Sequence, residues 1–253
     1  MIKRIFLGFI LKRVQAVLYA YKANKDFFKF YGVPEEKLFF YPCAVDNEFF
    51  QRKNKELEKT KQLIKEEIGL KHADWPTILF VGKFIARKRV MDLLRAAVKL
   101  KNKINVNFLL VGDGPGRETL MNFVKENGME NVYFVGFKNQ SELPKYYAIA
   151  DLLVLPSAFD PSPKAMNEAM NFRLPIVATN GVKTALDMVA ENDAGCIYRV
   201  GDIEALSCYI EKIIKDNALR EKLGANAFRV VNEWNFTRDV EGIIKAVDYA
   251  HKT

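Results

Sequence analysis

Histidine and cysteine are scarce in this 253-residue sequence, and their scarcity removes several chemistries at once. Only His72 and His251 are present, so a histidine-rich metal site is excluded and there is little to serve as a histidine base. Cys43, Cys196 and Cys208 are too few and too scattered for a disulfide framework or a thiolate metal site, which points to a reducing, cytoplasmic setting. No Asp-x-Asp pair occurs, so that arrangement of metal-binding carboxylates is missing and no metal or other cofactor is expected. Long apolar runs are absent as well. The opening MIKRIFLGFILKRVQAV is interrupted by Lys12 and Arg13, which makes it too short for a membrane span, and it lacks the small-residue site of a cleaved signal.

What is present is enough apolar residue, 49% of the chain, to bury a substantial core in one domain or two. The net charge is +8, and residues 1–55 carry 11 Lys/Arg against 5 Asp/Glu, so most of the excess lies in the first fifth. A basic surface of this kind suits an anionic membrane surface or phosphorylated ligands, and it equally describes a solvated lysine-rich face. No nucleic-acid partner is expected.

Apolar runs alternate with amphipathic stretches throughout. The pattern predicts a helix end near the N-terminus, a strand at 16–20, a helix at 22–31 stopped by Gly32, a strand at 37–41, and a charged helix at 55–68. Further strands are expected at Thr77–Val81, Asn107–Val111, 131–135, Leu152–Leu155 and Gly195–Tyr198, with helices at Val90–Leu100, from 164, and at Ile203–Lys215, 218–233 and 237–251. This alternation implies an α/β fold with a doubly wound parallel sheet. The turn Gly112-Asp113-Gly114-Pro115-Gly116 invites a dinucleotide-fingerprint reading. Arg117 stands where that motif needs glycine, however, so the stretch reads as a tight strand-to-helix turn.

Two stretches carry chemistry. After the strand ending at Val81, Gly82-Lys83 is followed by Arg87, Lys88 and Arg89; four cations in one strand-to-helix loop repel one another unless an anion is shared. In ADLLVLPSAFDPSPKAMNEAMNFRLPIVAT (150–179), a buried strand ends at Pro156-Ser157 and a helix starts just after Pro163. That helix start faces the carboxyl end of the sheet, where free amides bind anions, and Asp160 and Glu168 flank it with seven residues between them.

An acid, seven residues, a Glu, then Ala-Met and a downstream Pro-Ile-Val-Ala resembles the donor-site signature of retaining glycosyltransferases of family 4, which have the two-domain GT-B fold. The resemblance covers nearly the whole chain, as the family's carboxyl-terminal half. It implies that residues 1–46 are a remnant of an acceptor-side domain with its crossover, at Cys43-Ala44-Val45-Asp46, and that 47–253 are the nucleotide-sugar donor-binding domain, whose last helix resembles one that returns to brace the amino-terminal domain. It further implies transfer of a sugar, with retention, from a nucleotide-diphosphate sugar to a hydroxyl of a saccharide or lipid-linked acceptor, commonly in polysaccharide or lipopolysaccharide assembly at the inner face of a membrane.

Carried over residue by residue, the resemblance gives Asp160 and Lys88 as catalytic. Gly82, Lys83, Lys88, Phe137, Asp160, Ser162, Lys164, Ala165 and Glu168 would be donor-binding: lysines and helix-start amides on the diphosphate, Asp160 on sugar hydroxyls, Glu168 on the ribose, and the backbone at Phe137 on the base. The chain departs from the family pattern in having Lys83 for Arg, Asp160 for Glu, Pro163 for Gly and Arg173 for Gly. Gly181-Val182-Lys183-Thr184 also replaces a glycine-rich turn. A competing reading is a non-catalytic nucleotide-sugar binding module, or the donor-binding half of a split enzyme whose acceptor domain is a separate chain. The few strands of 1–41 are expected to leave Phe6, Phe9, Leu18 and Phe39 exposed, seeking a partner chain, a membrane or a second copy.

Overall fold

The computed structural model describes residues 2–11 and 13–252. Two compact units result: Met1–Asp46 with Asn232–Thr253, and Asn47–Val231. Residues 232–253, expected within the domain 47–253, therefore group with the first 46 residues.

In the smaller unit α1 (Ile2–Leu11) leads to β1 (Val17–Tyr19), α2 (Lys22–Phe30) and β2 (Leu38–Phe40). The strands pair in parallel, with Val17 opposite Leu38 and Tyr19 opposite Phe40. The Lys25 and Lys29 ammonium groups meet Glu35 at 2.5 and 2.7 Å and fix the turn between α2 and β2.

The larger unit opens with α3 (Asn47–Leu57) and α4 (Lys61–Ile68), separated by a 3-10 turn at Glu58–Thr60. This corrects the single helix expected at 55–68. Phe50 is fully buried against Tyr147 and Phe172, so the helix starts where that anchor is needed, eight residues before the charged stretch suggested. There follow β3 (Thr77–Val81), α5 (Val90–Leu100), β4 (Asn107–Val111), α6 (Arg117–Glu126), β5 (Val132–Gly136), α7 (Leu143–Ala148) and β6 (Leu152–Leu155). Next come α8 (Lys164–Met170), β7 (Ile176–Thr179), α9 (Lys183–Met188), β8 (Gly195–Tyr198), α10 (Ile203–Lys215) and α11 (Asn217–Glu233).

The six strands form one wholly parallel sheet in the order β5-β4-β3-β6-β7-β8. This is the doubly wound order, in which the chain starts at the centre and reverses direction between β3 and β6. That reversal opens a crevice beyond the strand ends. The strands are apolar along their length because both faces are covered. Ile78, Phe80, Phe108 and Leu110 join one core with Leu93, Leu94 and Ala97 of α5 and Leu206, Ile210 and Ile213 of α10. Their alternates Leu79, Leu109 and Leu153 are equally buried and point to the opposite face.

The chain ends with α12 (Phe236–Lys252), which closes the smaller unit. Asp239 accepts from the Cys43 and Ala44 amides, each at 2.9 Å, and holds Cys43 at a positive φ of 55°. Tyr249 packs on Phe39 with ring centroids 5.6 Å apart, so Phe39, expected in the open, is half-buried; Phe6, Phe9 and Leu18 are exposed. Exposed Phe236, Val240, Ile243, Ile244 and Val247 recur at helical spacing along α12. Among the described residues no helix is long and apolar enough to cross a membrane.

Candidate functional site

Beyond the carboxyl ends of β3, β4 and β5, two loops press backbone on backbone. The Gly82 amide donates to Val111 O at 3.0 Å, and the Phe84 amide donates to Asp113 O at 2.8 Å. Gly112, at φ 143°, is the residue that permits this: a Cβ there would lie 1.9 Å from the Gly82 carbonyl oxygen. Buried Phe84 anchors the first loop edge-on against Phe134. The result is a cavity of about 430 Å3 whose lining includes Gly82, Lys83, Gly112, Asp113, Gly114, Phe137, Lys138 and Leu143. Phe137 is 75% exposed, so this aromatic is no core residue. Lys83 is exposed, and its ammonium has no hydrogen-bond or ion-pair partner among the described residues.

The other three cations of that loop are already matched. Arg87 donates to Phe159 O at 3.1 Å, Lys88 forms an ion pair with Asp160, and the Arg89 guanidinium meets Asp92 at 2.5 Å. The expectation that four cations share one anion is thereby corrected: protein acceptors take up Arg87 and Arg89. Lys88 and Asp160 are both largely buried, with side chains 13% and 9% exposed. Gly82 links this pair to the cavity, since a Cβ built on it would stand 3.9 Å from Lys88 Cε.

Asp160 is held by its backbone. Its amide donates to Gly181 O at 3.0 Å, and its carbonyl accepts from the Lys183 amide at 2.9 Å, a short parallel bridge to Val182. Gly181 allows the approach because a Cβ would fall 2.3 Å from Ala158 O. The stretch that replaces the glycine-rich turn thus braces the loop of the acid.

On the next element, Pro163 caps α8 with extended geometry, and the helix begins at Lys164 as expected. The amides of Ser162 and Ala165 donate to no protein acceptor among the described residues, and the buried Ser162 hydroxyl has no partner there. Glu168 is buried and its Oε2 accepts from the Tyr147 hydroxyl at 2.6 Å. Burial raises its pKa, against the lowering effects of that bond and of Lys164. Burial, with the neighbouring carboxylate, pushes the Tyr147 hydroxyl far up. Arg173 adopts a left-handed φ of 57°, where glycine is at ease, and its guanidinium lies 4.5 Å from the Phe228 ring.

Of the residues singled out from sequence, Gly82, Lys83 and Phe137 line the cavity, while Lys88, Asp160, Ser162, Lys164, Ala165 and Glu168 do not. Sequence reasoning missed Gly112, Asp113 and Gly114 as lining, although glycines directly after a buried strand were a usable signal. For Leu143 and Tyr147 no local signal existed.

The model for glycosyl transferases group 1 matches residues 61–230. The chain is 28% identical over 181 residues to alpha-D-kanosaminyltransferase of Streptomyces kanamyceticus, covering 70% of this chain and 46% of that protein. It is 26% identical over 213 residues to N-acetyl-alpha-D-glucosaminyl L-malate synthase of Bacillus anthracis, covering 84% and 50%. It thus spans about half the length of these curated relatives. Among solved structures, Anabaena HepE in complex with UDP superposes with a TM-score of 0.80 at 19% identity, over 97% of this chain and 66% of that one. On the family match, and with the parallel sheet of GT-B glycosyltransferase domains, this chain belongs to the glycosyl transferases group 1.

Proposed function

We propose that this chain binds a nucleotide-diphosphate sugar and serves transfer of its sugar, with retention, to a hydroxyl of a saccharide or lipid-linked acceptor. One observation carries the reading. Beyond the ends of β3, β4 and β5, a cavity with an unmatched Lys83 adjoins a braced Lys88–Asp160 pair that spans the switch point between β3 and β6. The nucleoside fits the cavity beside Phe137 and Lys138. The diphosphate then falls to Lys83, Lys88 and the amides of Ser162, Lys164 and Ala165, and the sugar hydroxyls to Asp160, with the ribose held by Glu168.

During transfer the acceptor oxygen replaces the phosphate oxygen at the anomeric carbon, negative charge grows on the leaving diphosphate, and the hydroxyl proton passes to that diphosphate. Two ammonium groups and fixed amides stabilise that charge in place. Because lysines supply the positive charge, donor binding is proposed to need no metal and no other cofactor. HepE's complex with UDP supports a uridine donor, and a relative named as a lipopolysaccharide core biosynthesis glycosyltransferase, LpsE of Rhizobium meliloti, supports a role in polysaccharide or lipopolysaccharide assembly.

The buried, braced Lys88–Asp160 pair beside the cavity favours a transferase donor site over a non-catalytic binding module. Exposed Phe6, Phe9 and Ile10 beside a basic N-terminal stretch support a peripheral site on the cytoplasmic face of an anionic membrane. Calorimetry against UDP, GDP and their sugars in the presence of a chelator tests the reading. Micromolar to millimolar binding of one series is expected; no heat from any of them, with folded protein, would overturn it.

A further inference from the structure

We propose that Tyr147 is a positioning residue for nucleotide recognition: its buried hydroxyl fixes one oxygen of Glu168 so that the other is presented to the ribose. The proposal rests on the reading of Glu168 given above. Tyr147 is fully buried, and its ring packs in a cluster with Phe172, 5.5 Å away, and Phe50, 6.3 Å away, so its hydroxyl has a fixed direction. It donates to Glu168 Oε2 at 2.6 Å and leaves Oε1 without a hydrogen-bond partner among the described residues. An open carboxylate oxygen on a largely buried side chain can take a donor from a ligand. Ribose hydroxyls donate, and the site for them is close by. Leu143 lines the cavity and Tyr147 follows it by four residues on α7, so the two lie on one helix face about one turn apart. The short helix thus joins the cavity wall to the carboxylate.

A structural tyrosine and a positioning tyrosine differ in one readout, the preference for a nucleotide that carries ribose hydroxyls. Calorimetry would compare UDP and GDP with their 2′,3′-dideoxy counterparts on the unsubstituted chain, Tyr147→Phe, Glu168→Gln and the double variant. The unsubstituted chain is expected to favour the ribose form at least tenfold, as for hydrogen bonds to a charged acceptor. Tyr147→Phe is expected to cut that preference three- to tenfold and to leave dideoxynucleotide affinity within twofold. The double variant should match Glu168→Gln alone, because both changes act through one carboxylate; it also serves if the lone Tyr147→Phe fails to fold.

Equal losses for both nucleotide forms, an unchanged preference in Tyr147→Phe, or additive effects in the double variant would overturn the role of Tyr147. A preference that survives Glu168→Gln would instead overturn the ribose contact itself. No binding by the unsubstituted chain would remove the nucleotide site and the proposal with it.

Discussion

Lys83 and Lys88 stand in one loop, yet removing them has different consequences. Lys83 is exposed on the cavity wall, so Lys83→Ala is expected to weaken diphosphate binding by about 1–3 kcal/mol while nucleoside affinity and folding stay as they were. Lys88 neutralises a largely buried Asp160, and Lys88→Ala strands that carboxylate at a stability cost on the order of 3 kcal/mol. Adding Asp160→Asn should restore much of the loss in urea unfolding; equal stability of the single and double variants would contradict the pairing.

Glu168 gives a pH signature. Its folded pKa is raised above 4.5 by burial, so its contribution to stability is fully present below 4.5 and is lost as pH rises through the raised value. Glu168→Gln does not titrate and should still accept from Tyr147. Its stability relative to the parent is therefore expected to grow with pH above 4.5 and then level off, measured by urea titration at pH 4, 6 and 8. A difference that does not vary with pH would contradict the burial of an ionised carboxylate. At this scale the motif residues were legible because they sit in fixed order next to strand ends. The pairing of Tyr147 with Glu168 spans 21 positions and leaves no trace in local pattern. Nor could the charge run around Arg87 reveal that Phe159 and Asp92 would take two of its cations.

Among the elements, the two strand-end loops set the shape of the cavity. Gly112→Ala would drive a methyl group into the Gly82 carbonyl and is expected to cost about 2 kcal/mol or more, and to weaken nucleoside and nucleotide binding together. A variant of parental stability in urea would contradict the backbone contact. Five strands of the larger sheet were legible in the sequence because a parallel sheet covered on both faces leaves continuous apolar runs, whereas β7 was not read as a strand. The helices α7 and α9, six residues each, were not read, since barely two turns show too little periodicity. The break at Glu58–Thr60 escaped for a related reason: a charged surface stretch reads as one helix when the buried residue that anchors its first half, Phe50, lies outside it.

For the whole molecule, alternation implied a doubly wound parallel sheet but not its strand order, and the observed order decides where a ligand can sit. The grouping of α12 with the first 46 residues could not be read from periodicity, because it rests on Asp239 meeting amides 195 and 196 positions away. The smaller unit has a two-stranded sheet and exposes apolar residues on α1, β1 and α12. Light scattering is accordingly expected to show self-association of this chain; a monodisperse monomer across a range of concentrations would contradict this.

The central claim is that a nucleotide-diphosphate sugar sits at the switch point of the larger sheet. A crystal structure of the chain with UDP or GDP tests it most directly. The account predicts the base beside Phe137 and the diphosphate between Lys83, Lys88 and the start of α8; a nucleotide bound anywhere else, with that cavity empty, would contradict it.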